Sequence, residues 1–292
     1  MVFLDTFKLP ERQDEETFMF HQRNLEAYDS KYPFHVFRYR DLPELMFSDI
    51  TILYGGNGSG KTTILNVIAE TLHLSRTAPY NRSSFFEDYL DLCRYSNHRD
   101  IPGKSAIITS DDVFDYLLKT RELQSQMDSS RSKLFNQYEK DRYGKARLTG
   151  LDNYEAFVRI CDAKDMAPGR YVRGQLKRSV KERSNGESAL KFFTDHIDSD
   201  ALYLLDEPEN SLSAELQLEL KQFIEDSARF YRCQFIMSTH SPFLLSMAHA
   251  TVYDLDADPP ESRPWTKLKN IQIYYEFFKS HKHEFIEQDR SS

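Results

Sequence analysis

Residues 55–62 read Gly-Gly-Asn-Gly-Ser-Gly-Lys-Thr, and no other segment limits the fold as strongly. The whole chain holds only ten glycines, and Gly55, Gly56, Gly58 and Gly60 crowd into this one loop. Glycine permits positive φ and close backbone approach, so the cluster marks a loop shaped around a ligand. Asp49–Tyr54 (DITILY) precedes it as a short, β-branched apolar run that reads as a buried strand. Thr62–Leu74 follows as a helix, with Ile64, Leu65, Val67, Ile68 and Leu72 near one face. Strand, G-x-x-x-x-G-K-[ST] and helix together form a phosphate-binding loop. Successive N–H groups from Gly55 to Thr63 surround a β-phosphate, and the helix N-terminus adds positive potential. In this arrangement Lys61 reaches the β- and γ-phosphates, and the Thr62 hydroxyl ligates Mg2+.

The rest of the chain alternates strands and helices. Ser105–Thr109, Ala201–Leu205, Gln234–Met237 and Thr251–Leu255 read as strands, and Ala214–Phe230 reads as a helix. This predicts an α/β P-loop fold with a mostly parallel sheet flanked by helices. Phe3–Leu9 and Tyr32–Tyr39 read as further strands, and residues 75–104 as irregular. Residues 111–181 are charged and poor in glycine, and predict a helical insertion with a turn near Tyr143-Gly144. The expected divisions are a lobe at 1–110 with the phosphate loop, the insertion at 111–182, the rest of the core at 183–256, and a charged tail at 257–292.

Chemistry concentrates at the strand ends. Leu202–Leu205 leads into Asp206-Glu207-Pro208. Beside a phosphate loop, Asp206 suits Mg2+ and Glu207 suits the polarising of an attacking water. Ser238-Thr239-His240 closes the next strand, where a His can reach a γ-phosphate; the bland reading is a cap for the helix near Pro242. Ser184-Asn185-Gly186-Glu187-Ser188 precedes a helix at Ala189–His196. It suits a second anion site, and its Ser–Glu spacing equally suits a capping box.

These four segments, in this order, resemble the ATP-binding-cassette ATPases, above all the soluble branch of chromosome-maintenance and recombination ATPases and a family of small bacterial AAA-type ATPases. The resemblance covers roughly residues 45–75 and 180–256. It implies ATP and Mg2+ as ligands and ATP hydrolysis as the activity. It aligns Ser184, Gly186 and Glu187 with the family signature, which contacts ATP bound to a partner subunit. A head-to-tail homodimer with two sandwiched ATPs follows. Two departures stand out. The family's Gln after the strand at 105–109 is missing, with Asp111 as a substitute contact for metal or water and Gln124 and Gln126 too far downstream. Ser213 stands where many members carry Asp. For the adenine platform, Tyr32, Phe34, Phe37 and Tyr39 are candidates, although buried strand aromatics explain them better.

Charge and composition bound the alternatives. With 38 Lys+Arg against 46 Asp+Glu the net charge is −8, which disfavours binding DNA through global charge. Arg170, Arg173, Lys177, Arg178, Lys181 and Arg183 form a local basic run, which reads as a solvated helix face or a contact for nucleic acid. An ATP-switched clamp on nucleic acid or a protein partner is therefore the first alternative, a transporter nucleotide subunit the second and a small-molecule kinase the third. No run reaches the ~20 apolar residues of a membrane helix. Cys93, Cys161 and Cys233 are scattered, which suits a reducing cytoplasm rather than a disulfide framework. His281 and His283 have metal-like spacing within a charged tail, and Met19, Met46 and Met127 read as packing residues.

Overall fold

The structure, a computed structural model, describes residues 2–22, 30–37, 42–144, 154–175 and 184–289. In chain order the elements are β1 (Leu4–Lys8), α1 (Arg12–His21), β2 (Leu45–Met46), β3 (Ile50–Tyr54), α2 (Lys61–Thr71), α3 (Phe86–Leu92), β4 (Arg94–Asn97) and β5 (Ala106–Thr109). Then come α4 (Ser110–Tyr143), α5 (Tyr154–Asp165), α6 (Pro168–Gln175) and α7 (Asn185–His196). The last third holds β6 (Leu202–Asp206), α8 (Ala214–Phe230), β7 (Gln234–Ser238), α9 (Pro242–Leu245), β8 (Thr251–Asp254), β9 (Glu261–Ser262), α10 (Lys269–Ser280) and α11 (Lys282–Asp289). Met1–Phe114 with Asn185–Ser292 forms one unit, and Asp115–Ser184 forms another.

The first unit is an α/β fold with two sheets. The larger has strand order β5-β6-β7-β3-β8-β9, parallel from β5 to β8, with β9 antiparallel at the edge. Every residue of β3, β6 and β7 is buried. That is why these strands are continuous apolar runs: a parallel strand is covered on both faces. Helix α2 packs on β5, β6 and β7. Ile64, Leu65 and Ile68 share one core cluster with Leu204 and Ile236.

The smaller sheet is antiparallel, order β2-β1-β4. The fully buried Gln234 ties it to the larger one. Its Oε1 accepts the N–H groups of Phe3 (2.8 Å) and Leu4 (3.0 Å), and its Nε2 donates to the carbonyls of Leu4 (2.9 Å) and Ser48 (3.2 Å).

The second unit contains the later part of α4 with α5 and α6. Its small core is Tyr138, Ala163, Tyr171 and Val172, packed by Leu134. The Tyr138 hydroxyl donates to the Met166 carbonyl at 2.9 Å. Of the basic run, Lys177, Arg178, Lys181 and Arg183 lie outside the described residues, and Arg170 is exposed.

Several expectations are corrected. Tyr32–Phe37 is a turn rather than a strand. Pro33 offers no N–H for a ladder and His35 has φ 65°, a left-handed value that breaks extension. Tyr39 lies outside the described residues. Residues 75–104 are not all irregular, since α3 and β4 form there. β4 is exposed throughout, so it has no alternating pattern and depends on pairing with β1. Residues 257–289 contain β9, α10 and α11 rather than an extended tail. Met46 is 67% exposed, so it is not a packing residue.

Candidate nucleotide-binding and catalytic site

The phosphate loop lies between the end of β3 and the start of α2. Gly58 and Gly60 have φ of 80° and 93°. Gly60 is bound by a second constraint: a Cβ built on it would lie 2.3 Å from Phe37 Cε1. It is also the N-cap of α2, and it supplies no side-chain hydrogen bond. The first turn carries no acidic residue. The helix therefore opens with unclaimed N–H groups and an uncompensated positive end, which is the electrostatic shape an anion requires.

Lys61 folds back on its own loop. Its Nζ donates to the carbonyls of Gly55 (2.9 Å) and Gly56 (3.1 Å). Burial lowers its pKa, and the charges of Glu207, Asp206 and Asp256 oppose that shift. Asp256, beyond β8, braces the loop by accepting the Gly56 N–H at 2.7 Å.

Asp206 and Ser238 face each other across β6 and β7. The Asp206 carboxylate accepts a hydrogen bond from the Ser238 hydroxyl, and Thr62 lines the same cleft. Burial raises its pKa, the Ser238 and Thr62 hydroxyls oppose the rise, and Glu207 adds to it. A buried carboxylate and the Thr62 hydroxyl lining one cleft are hard-oxygen donors that fit Mg2+.

Glu207 turns out of the sheet at φ 48°. Its N–H donates to the Ser238 carbonyl (3.1 Å) and Oγ (3.1 Å). Its Oε2 accepts from Asn210 Nδ2 at 3.2 Å, and its Oε1 lies 3.6 Å from His240 Nε2. Glu207 lines one cleft of about 440 Å3 with Asn57, Gly58, Gly60, Lys61, Thr62 and Thr63. A second cleft, of about 360 Å3, brings Asp111 together with Thr62, Asp206 and Thr109. The neighbouring Asp112 accepts the Thr109 N–H (2.8 Å) and hydroxyl (2.9 Å).

The structure thus gathers Lys61, Thr62, Thr63, Asp111, Asp206, Glu207 and His240 around the loop. Gly55 and Gly56 contribute carbonyls to Lys61, and Ser59 Oγ is shut from solvent without a hydrogen-bond partner. Gly186 and Glu187 line neither cleft. Helix α7 starts at Asn185, earlier than expected, so Gly186 and Glu187 fall in its first turn. A Cβ on Gly186 would lie 2.5 Å from Leu216 Cδ1, so this glycine lets α7 approach α8. The cap of α9 is Ser241, which accepts the N–H groups of Phe243 and Leu244, and not His240. Ser213 caps α8.

The aromatics before the loop have separate fates. Phe34 is core, Phe37 covers Gly60, and the Tyr32 hydroxyl donates to Thr63 Oγ1 at 3.2 Å. Sequence reasoning missed Glu209 and Asp256. A second acid two residues after Glu207 was a usable signal for the first, whereas Asp256 meets the loop only through the pairing of β8 with β3.

The family model "AAA domain, putative AbiEii toxin, Type IV TA system" matches residues 114–246, a little under half of the chain, including Asp206, Glu207 and His240. The chain has an α/β fold in which a mostly parallel sheet carries a glycine-rich loop between β3 and α2. No curated protein matches it. Among solved structures, the chain is similar to the Smc head domain with an extended coiled coil bound to the C-terminal domain of ScpA derived from Pyrococcus furiosus. Identity is 15%, coverage 95% of this chain and 100% of that one, and the TM-score 0.43. For an Smc head bound to the C-winged helix domain of ScpA the values are 13%, 90%, 98% and 0.41. For a nucleotide-free ATP-binding cassette of an ABC transporter they are 15%, 86%, 87% and 0.37. Among the described residues no helix is long and apolar enough to cross a membrane.

Proposed function

We propose that the chain is a Mg2+-dependent ATPase that works as an ATP-sandwiched homodimer. One observation carries the reading: the glycine loop with its uncapped helix shares a cleft with Glu207, and Thr62 shares the adjoining cleft with Asp206 and Asp111. In this reading Lys61 releases the Gly55 and Gly56 carbonyls and turns to the β- and γ-phosphates. The loop N–H groups hold the β-phosphate. Thr62, Asp206 and Asp111 are the residues that would hold Mg2+, whose charge would offset that of the phosphate oxygens. Glu207 orients water and takes up its proton, and His240 donates to the γ-phosphate. Water adds to phosphorus as the bond to the ADP oxygen breaks, giving ADP and phosphate; positioning and charge stabilisation supply the rate.

Ser184, Gly186 and Glu187 of a second copy complete the site in trans. That Gly186 and Glu187 line neither cleft of their own chain supports this division of labour. Size-exclusion chromatography of Glu207→Gln with and without MgATP tests the proposal, alongside wild-type phosphate release. ATP-dependent dimerisation of the variant with loss of turnover is the expected result. A variant that stays monomeric with ATP and still hydrolyses it refutes the mechanism. Repeating the run with DNA distinguishes the clamp reading, which requires ATP-dependent, salt-sensitive co-elution.

A further inference from the structure

His240 lies beyond the last residue of β7, so strand pairing does not fix its peptide. Its N–H donates instead to Glu209 Oε1 at 2.6 Å. Glu209 belongs to the turn that also carries Glu207: the Asn210 N–H donates to the Glu207 carbonyl (3.1 Å) and the Leu212 N–H to the Glu209 carbonyl (3.0 Å). One rigid turn thus holds the main chain of His240 through Glu209 and faces its imidazole with Glu207. Glu209 Oε2 and His240 Nε2 are both shut from solvent without a hydrogen-bond partner. Nε2 lies 3.6 Å from Glu207 Oε1, too far for a hydrogen bond and close enough to be closed by a small shift or a bridging group.

We infer that Glu209 is a positioning residue: by gripping the His240 peptide from the Glu207 turn, it aims the imidazole into the water-attack site. This deepens the ATPase reading and rests on it for the rate prediction. The grip needs an acceptor at Oε1 and no negative charge. Burial already favours the protonated form of this carboxyl, as does its neighbour Glu207. An amide therefore serves nearly as well as the acid, whereas truncation frees the peptide.

The test compares wild type, Glu209→Gln and Glu209→Ala by steady-state ATP hydrolysis and by imidazole 15N NMR of His240, with folding checked by circular dichroism. Glu209→Ala is expected to lower kcat roughly ten- to hundredfold with KM for ATP unchanged, the usual consequence of a misplaced group. Glu209→Gln is expected to restore kcat to within about threefold of wild type. In the NMR arm, Glu207→Gln shifts the His240 ring resonances in the wild-type background and leaves them unmoved in the Glu209→Ala background. Wild-type kcat in Glu209→Ala, an equal loss in Glu209→Gln, or a rise in KM alone overturns the inference. If Glu209→Ala does not fold, Glu209→Asp, whose shorter arm cannot reach the N–H, takes its place with the same expectation. A wild-type protein without turnover refutes the ATPase reading instead, and the NMR arm then decides the positioning by itself.

Discussion

The Ser238 hydroxyl donates to the Asp206 carboxylate from the directly opposed position on the next strand. The sheet register therefore sets the direction in which this carboxylate points, and Thr62 of α2 lines the same cleft. The parallel pairing of β6 with β7 is in this sense part of the site.

Asp206 is raised by burial, so the folded chain keeps its proton at pH values where the unfolded chain has lost it. Its stabilising contribution is complete below the ordinary value of 3.8 and is lost as pH rises through the higher folded value. At neutral pH, without metal, the ionised group opposes folding. Asp206→Asn keeps an acceptor for Ser238 and removes that charge. The variant should melt a few degrees above wild type at pH 7 without Mg2+, and the gap should close towards pH 4. Adding MgATP should stabilise wild type and not the variant. Differential scanning calorimetry across pH, with and without MgATP, checks all three statements.

The two positive-φ glycines of the loop separate backbone strain from steric exclusion. At Gly58 (φ 80°) an added Cβ meets nothing within 4 Å, so Gly58→Ala should destabilise by only about 1 kcal/mol. At Gly60 (φ 93°) the methyl meets the Phe37 ring as well. Gly60→Ala should therefore destabilise by at least ~2 kcal/mol more, in the range of an overpacked core, and should abolish nucleotide binding. Urea denaturation and titration with a fluorescent ATP analogue measure both effects.

The site is legible where its determinants are local. Glycine clustering between β3 and α2 announces the loop, and Asp206, Glu207 and His240 stand where buried strands end. Helix α8 has the bounds its apolar pattern predicts, Ala214–Phe230, with Ser213 as its cap. Long-range determinants leave no such trace. The N–H of Gly56 depends on Asp256, 200 residues away, and that of His240 on Glu209 across a strand. Tyr32–Phe37 has the composition of a strand, but its aromatics pack into the core and over Gly60 rather than pairing. α10 and α11 have exposed aromatic side chains, Phe277, Phe278 and Phe285 among them, so no buried stripe gives their period away.

Lys61 is the clearest separation of function from stability. In the ligand-free chain Lys61 is buried and, among the described residues, its ammonium donates to two carbonyls of its own loop. Lys61→Ala removes a strained charge together with two modest hydrogen bonds, so the melting temperature without nucleotide should change little. Turnover should fall at least ~100-fold, the scale for losing a preorganised charge donor. The several-degree rise in melting temperature that MgATP produces in wild type should vanish, because stabilisation by a ligand follows its binding. Thermal shift assays with and without MgATP, beside phosphate release, read both.

Gln234 gives the converse case. It lies at the start of β7, whereas Ser238 and His240 lie at and beyond its end. The four hydrogen bonds of its side chain join main-chain groups at the start of β1 and in the segment before β3. Gln234→Leu fills similar space and leaves the N–H groups of Phe3 and Leu4 without their acceptor. A buried unpaired group costs about 1–3 kcal/mol, so the variant should lose roughly 3 kcal/mol or more. Gln234→Glu should be at least as damaging, since it keeps the acceptor but removes the donor to Leu4 and Ser48 and buries a charge. In either variant the folded fraction should retain wild-type kcat and KM, since the loop and strand ends are untouched. Denaturation curves paired with turnover per folded molecule test this, and a selective loss of kcat would mean that the two sheets communicate with the site.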